Sequence, residues 1–181
     1  MIARLFSVVS RYGTSPRHPA VATLLTVAAL AAAAALADVP AAVAATPSCQ
    51  TAGLVVWLDT EGNGTAGTIF YTLNFTNLSG HKCTLRGYPG VSAVNVGGHI
   101  LGSPASRLTG HAVHTVSLAN GHTASATLGL VDTGALPSCH RTTAAGFRVF
   151  PPNQTASRTI PFPFPACSNT GQAFLRIEPI S

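Results

Sequence analysis

An all-β fold, an antiparallel β-sandwich of about eight strands with two disulfides, is predicted for residues 46–181 by three observations. Apolar residues alternate with period two, and almost no segment carries helical spacing. Turn signals built on Gly, Pro and Asn-Gly return roughly every 8–12 residues. Four cysteines, Cys49, Cys83, Cys139 and Cys167, all fall in this part of the chain. Short strands without crossover helices bury their apolar faces by stacking two sheets. An immunoglobulin-like arrangement is favoured, with a jelly roll or small barrel as the alternative.

Residues 1–45 are set apart by composition. Arg4, Arg11 and Arg17 precede an apolar run from Val21 to Leu36, which Asp38 and Pro40 close off. A basic front, a short apolar middle and an A-x-A exit at Ala42 and Ala44 read as a secretory signal peptide, cleaved near Ala44/Ala45. The run is shorter than the roughly 20 residues a bilayer-crossing helix needs, which counts against its retention as an anchor. Thr46-Pro47-Ser48 before Cys49 lacks the small-residue pattern of a lipid-attachment site. Residues 46–181 form one domain, long enough to bury a core.

Along that domain, Leu54 to Leu58 is a first, heavily apolar strand, and Asp59 to Gly67, with Asn63-Gly64, reads as a turn-rich break. Ile69, Tyr71, Leu73 and Phe75 then line one face of the clearest strand, with Thr72, Asn74 and Thr76 on the other. Thr84-Leu85-Arg86 and Val91 to Val96 follow, the latter turning through Gly97-Gly98 as a two-residue hairpin into His99-Ile100-Leu101. A second hairpin is expected between Val113–Leu118 and Thr123–Val131 around Asn120-Gly121. Matching its apolar faces requires an odd loop and a bulge near Gly121. Phe147 to Phe150 and Phe174 to Ile177 are the last strands. Between them, the prolines of Ile160-Pro161-Phe162-Pro163-Phe164-Pro165 cannot donate ladder bonds, so this segment is an edge or an extended loop.

An even cysteine count in an exported domain implies two disulfides. Of three pairings, the sequential one, Cys49–Cys83 and Cys139–Cys167, is favoured because it staples each end of the chain to a neighbouring strand. Zinc is the weaker alternative, since no C-x-x-C or Cys/His pair at ligand spacing is present. Charge is sparse. Three of the ten basic residues and one of the five acids precede residue 46, leaving seven against four, a formal +3. The seven are scattered rather than striped, which argues against nucleic-acid binding.

Gly67-Thr68, Tyr71, Phe75-Thr76-Asn77-x-Ser79-Gly80 and Cys83-Thr84-Leu85-x-Gly87-Tyr88-Pro89-Gly90-Val91 resemble the signature of a family of exported actinobacterial proteins, domain of unknown function 4232. Leu101-Gly102-x-Pro104-Ala105, Cys139, Phe147 to Pro152 and Cys167 continue the resemblance in order. It implies an exported β-sandwich with two disulfides and carries no activity with it. One Lys against nine Arg, with an Ala-rich leader, fits such a source.

The sharpest chemical hypothesis is a metal site built from His81, His99, His111, His114, His122 and His140. On a strand, His111 and His114 would face opposite ways, and His122 would stand more than about 10 Å from His114. Acids to complete a site are limited to Asp59, Glu61, Asp132 and Glu178. Hydrolase chemistry lacks a G-x-S-x-G elbow, and Asp59-x-Glu61 sits where acids are commonly just solvated. Asn77 with Ser79-Gly80 reads as a self-bonded turn, and Tyr88 as a packed ring whose hydroxyl finds a partner. Arg148 and Arg176 read as solvent-facing strand positions. Phe162 and Phe164 either cap the core or offer a contact patch.

The expectation is therefore an exported, non-catalytic binding or structural module of the cell envelope or medium, secreted or otherwise extracytoplasmic. Its partner would be an envelope or extracellular protein or a glycan, with no nucleic acid and no stable membrane insertion after cleavage. No catalytic or metal residues are assigned and no cofactor is implied. An exported hydrolase or a metal-dependent protein using the domain's histidines is the alternative.

Overall fold

Alternating β-branched and aromatic residues suit a pleated surface with one face buried, and residues 68–77 follow that rule most closely. The computed structural model describes Ala45–Ser181. Apart from Ala45, the signal-peptide reading of residues 1–45 falls before these, outside the described part. Eleven strands follow one another: β1 (Leu54–Thr65), β2 (Thr68–Asn77), β3 (Cys83–Arg86), β4 (Gly90–Val94), β5 (Ile100–Leu101), β6 (Ser106–Arg107), β7 (Thr115–Leu118), β8 (Thr123–Val131), β9 (Arg141–Phe150), β10 (Arg158–Cys167) and β11 (Leu175–Ile177). Among the described residues no helix is long and apolar enough to cross a membrane.

The strands form a five-stranded sheet in the order β1-β2-β8-β11-β6, a four-stranded sheet β10-β9-β4-β5, and a small ladder β3-β7. Pairing between these strands is antiparallel except for the two-residue contact of β11 with β6, and Ser48 adds an isolated parallel bridge to Thr84 of β3. Leu73 and Phe75 of β2, Leu128 of β8 and Ile177 of β11 belong to one apolar cluster with Val91 of β4, Phe147 and Val149 of β9 and Phe164 of β10. The two larger sheets thus share a single core. Both disulfides take the sequential pairing, Cys49–Cys83 and Cys139–Cys167, closing loops of 34 and 28 residues.

Three local expectations are corrected. The break at Asp59–Gly67 is instead strand, because β1 continues to Thr65 by bulging between Asp59 and Asn63. There Thr60, Glu61 and Gly62 stand opposite Tyr71, and the ladder then resumes with Asn63 across from Phe70. The hairpin closes at Ala66-Gly67, where Thr65 pairs with Thr68 and both loop residues have positive φ, 45° and 79°. Such a turn matches the twist of its strands. Second, β7 and β8 do not pair with each other. Leu118 and Val116 lie across from Cys83 and Leu85, whereas Ala124 and Ala126 lie across from Phe75 and Leu73. The apolar matching is met by two other strands, so no bulge near Gly121 is needed. Third, the β4–β5 turn is longer than Gly97-Gly98 alone: Val94 pairs with Ile100, and the Asn95 N–H donates to the His99 carbonyl at 3.0 Å.

The Pro/Phe segment is β10, an edge strand that among the described residues pairs only with β9 and is bulged between Pro161 and Phe164. Gly146 of β9 faces that irregularity. A methyl group there would run into the Ile160 carbonyl, so the close approach of the two strands requires glycine.

Candidate functional site

The β1–β2 hairpin projects the apolar face of β2 past the end of the core. Ile69 and Tyr71 sit across from Leu130 and Leu128 of β8, on the same face as the fully buried Leu73 and Phe75. At this end the cover thins: Phe162 and Gly62 of the β1 bulge lie against Tyr71, whereas Ile69 is 45% exposed. The result is a cleft of about 430 Å³. Ile69, Tyr71 and Leu130 form one wall, Phe164 and Pro165 of β10 another, and the Thr65–Thr68 turn with Asp132-Thr133 the rim.

Aromatic stacking fixes the walls. Phe147 stacks on Phe164 with ring centroids 4.5 Å apart, and Phe162 meets Tyr71 edge-on at 5.2 Å. Phe162 and Phe164 therefore cap the core, from a strand rather than a loop. Asp132 secures the rim: its N–H donates to the Gly67 carbonyl at 2.7 Å, and its Oδ1 accepts from the Gly134 N–H at 2.8 Å. Such a cleft, apolar within and polar at one edge, offers a ligand ring or side chain a dry wall and an orienting rim.

The other candidate residues are dispersed. His81 contacts the Ser79 carbonyl through Nδ1 at 3.1 Å, and His99 ends the β4–β5 turn. His111 pairs with Glu178 at 3.1 Å, and His114 lines the same shallow depression. His122 adjoins Gly121, and its carbonyl accepts from the Asn77 N–H at 2.9 Å. The His140 carbonyl accepts from Ser168. Among the described residues, no three His, Cys, Asp or Glu side chains are grouped to hold a metal ion. Asp59 accepts from the Glu61 N–H at 3.1 Å, shaping the β1 bulge.

Arg148 departs from the solvent-facing expectation, since its guanidinium donates to the Gly98 carbonyl at 2.7 Å and steadies the β4–β5 turn. Arg176 is exposed as expected. Tyr88 donates its hydroxyl to the Leu108 carbonyl at 3.0 Å. Sequence reasoning did not single out the cleft. Its one legible signal is that the apolar alternation of β2 starts at Ile69, two positions before Tyr71, farther out than a core of this size covers.

A family model described as Domain of unknown function (DUF4232) matches residues 49–180. No curated protein and no solved structure matches the chain.

Proposed function

We propose that the chain, which belongs to this family of domains of unknown function, is an exported, non-catalytic binding module of the cell envelope or extracellular medium. The cleft at the β1–β2 hairpin carries this reading, because its apolar wall is left open while the surrounding strands and rim are fixed by stacking and hydrogen bonds. A preformed wall binds with little ordering cost. Two disulfides suit an oxidising compartment. The leader-like residues 1–45, the immunoglobulin-like arrangement and an actinobacterial source belong to the same reading. The partner is an extracytoplasmic protein or glycan that offers an apolar side chain or a sugar ring.

Affinity capture from the producer's envelope with the exported protein tests this. One stoichiometric partner is expected, lost when the exposed Ile69→Asp substitution puts a charge on the cleft wall and unfolding is unchanged. Equal recovery by wild type and variant overturns the assignment to the cleft. The alternative, a metal-dependent protein, predicts stoichiometric zinc or copper by elemental analysis, lost in a His111→Ala/His114→Ala variant.

A further inference from the structure

On another part of the surface, β3 ends and β6 lies so that Arg86 and Arg107 line one groove of about 580 Å³. Among the described residues no carboxylate lines it. Arg107 is held in place: its Cζ lies 5.4 Å from the centroid of the Tyr88 ring, whose hydroxyl is tied to the Leu108 carbonyl. A guanidinium stacked on a ring keeps its N–H edge free for acceptors. The acid nearest along the ladder is Glu178, one residue beyond the Ile177 that pairs with Arg107, and it is engaged by His111. Among the described residues that is the single side-chain ion pair.

The rest of the groove is also built. The Arg86 carbonyl accepts from Asn153 Nδ2 at 3.1 Å, which fastens the Pro151–Gln154 turn to the end of β3. Asn153 adopts a left-handed φ of 60° to make that turn, a conformation Asn tolerates better than most residues. Gly87, at φ 106°, leaves the floor bare, with nothing within 4 Å of where a Cβ would stand.

We infer that this groove binds an oxyanion carried on a polar, sugar-sized body, in other words an acidic sugar bearing a carboxylate or a phosphate. Two guanidiniums without a carboxylate match an oxyanion, which arginine takes in paired hydrogen bonds. The volume exceeds that of a bare ion, and with Asn153 Nδ2 and the Gln154 amide engaged within the protein, Asn153 Oδ1 is the side-chain acceptor that those two residues leave for a hydroxyl group. The site lies apart from the hairpin cleft and stands or falls independently of it.

Titration of the exported, 15N-labelled protein tests the inference, with glucuronate, glucose 6-phosphate and glucose as probes. The acids are expected to shift the amide resonances of Arg86, Gly87 and Arg107, and glucose to leave them unmoved. Whichever acid binds more tightly identifies the anion. Arg86→Gln and Arg107→Gln should each weaken binding about tenfold without altering thermal unfolding. Arg107→Lys should not restore it, because an ammonium lacks the stacked fork. Absence of shifts with both acids at millimolar concentration overturns the inference. So do equal shifts from glucose, or wild-type affinity in the double Gln variant.

Discussion

Asn77 joins segments far apart in the chain. Fully buried at the end of β2, it donates through Nδ2 to the carbonyls of His81 at 2.8 Å and Leu118 at 3.1 Å. Its Oδ1 accepts from both the N–H and the hydroxyl of Ser79, and its carbonyl accepts from the Gly121 N–H. The turn with Ser79 and Gly80, whose φ is 82°, was legible because Asn and Ser bond their own backbone there. The bond to Leu118 was not, since it depends on which strand β7 joins. Asn77→Ala removes the side-chain donor to the Leu118 carbonyl and one of two side-chain donors to the His81 carbonyl, which the Ser79 hydroxyl also meets at 3.1 Å, and a loss of about 2 kcal/mol in urea unfolding is expected. Asn77→Asp should cost at least as much, since a carboxylate there faces the same carbonyls. A stable Asp variant would show that the donor side of the network is dispensable.

At the scale of elements, the two free edges of the larger sheets next to each other in the fold are β1 and β10. β10 carries Pro161, Pro163 and Pro165, which remove donors that a second chain could use. Replacing all three by Thr should therefore produce concentration-dependent self-association, read by sedimentation velocity. A monomeric variant would mean that another feature guards the edge. Gly146→Ala tests the close approach of β9 to β10, and should destabilise by about 2–3 kcal/mol as the strands are forced apart. That β10 is either an edge or an extended loop was readable from its prolines alone. The partnership of β7 and β8 was not. A turn signal at Asn120-Gly121 is the same whether the flanking strands pair with each other or separate into different sheets, and here the faces of β2 and β3 decide.

For the molecule as a whole, the all-β architecture and both disulfides were legible, because period-two alternation and cysteine count are properties of composition and order. The cleft and the arginine groove were not: each is made where strands distant in sequence end side by side. Each bridge closes a loop of about 30 residues, so removing either pair, Cys49→Ala/Cys83→Ala or Cys139→Ala/Cys167→Ala, should cost about 3–4 kcal/mol in chemical unfolding. Equal stability after removing one pair would show that the loop it closes is constrained by other contacts.

The sequential pairing also bears on how the thiols find one another. Neither bridge encloses or crosses the other, so a chain emerging amino end first presents Cys49 and Cys83 to an oxidant before Cys139 and Cys167 appear. At each stage the first available mate is the native one, and no shuffling step is needed to correct it. Oxidised yield should accordingly be the same in hosts with and without a disulfide isomerase, provided a thiol oxidase is present.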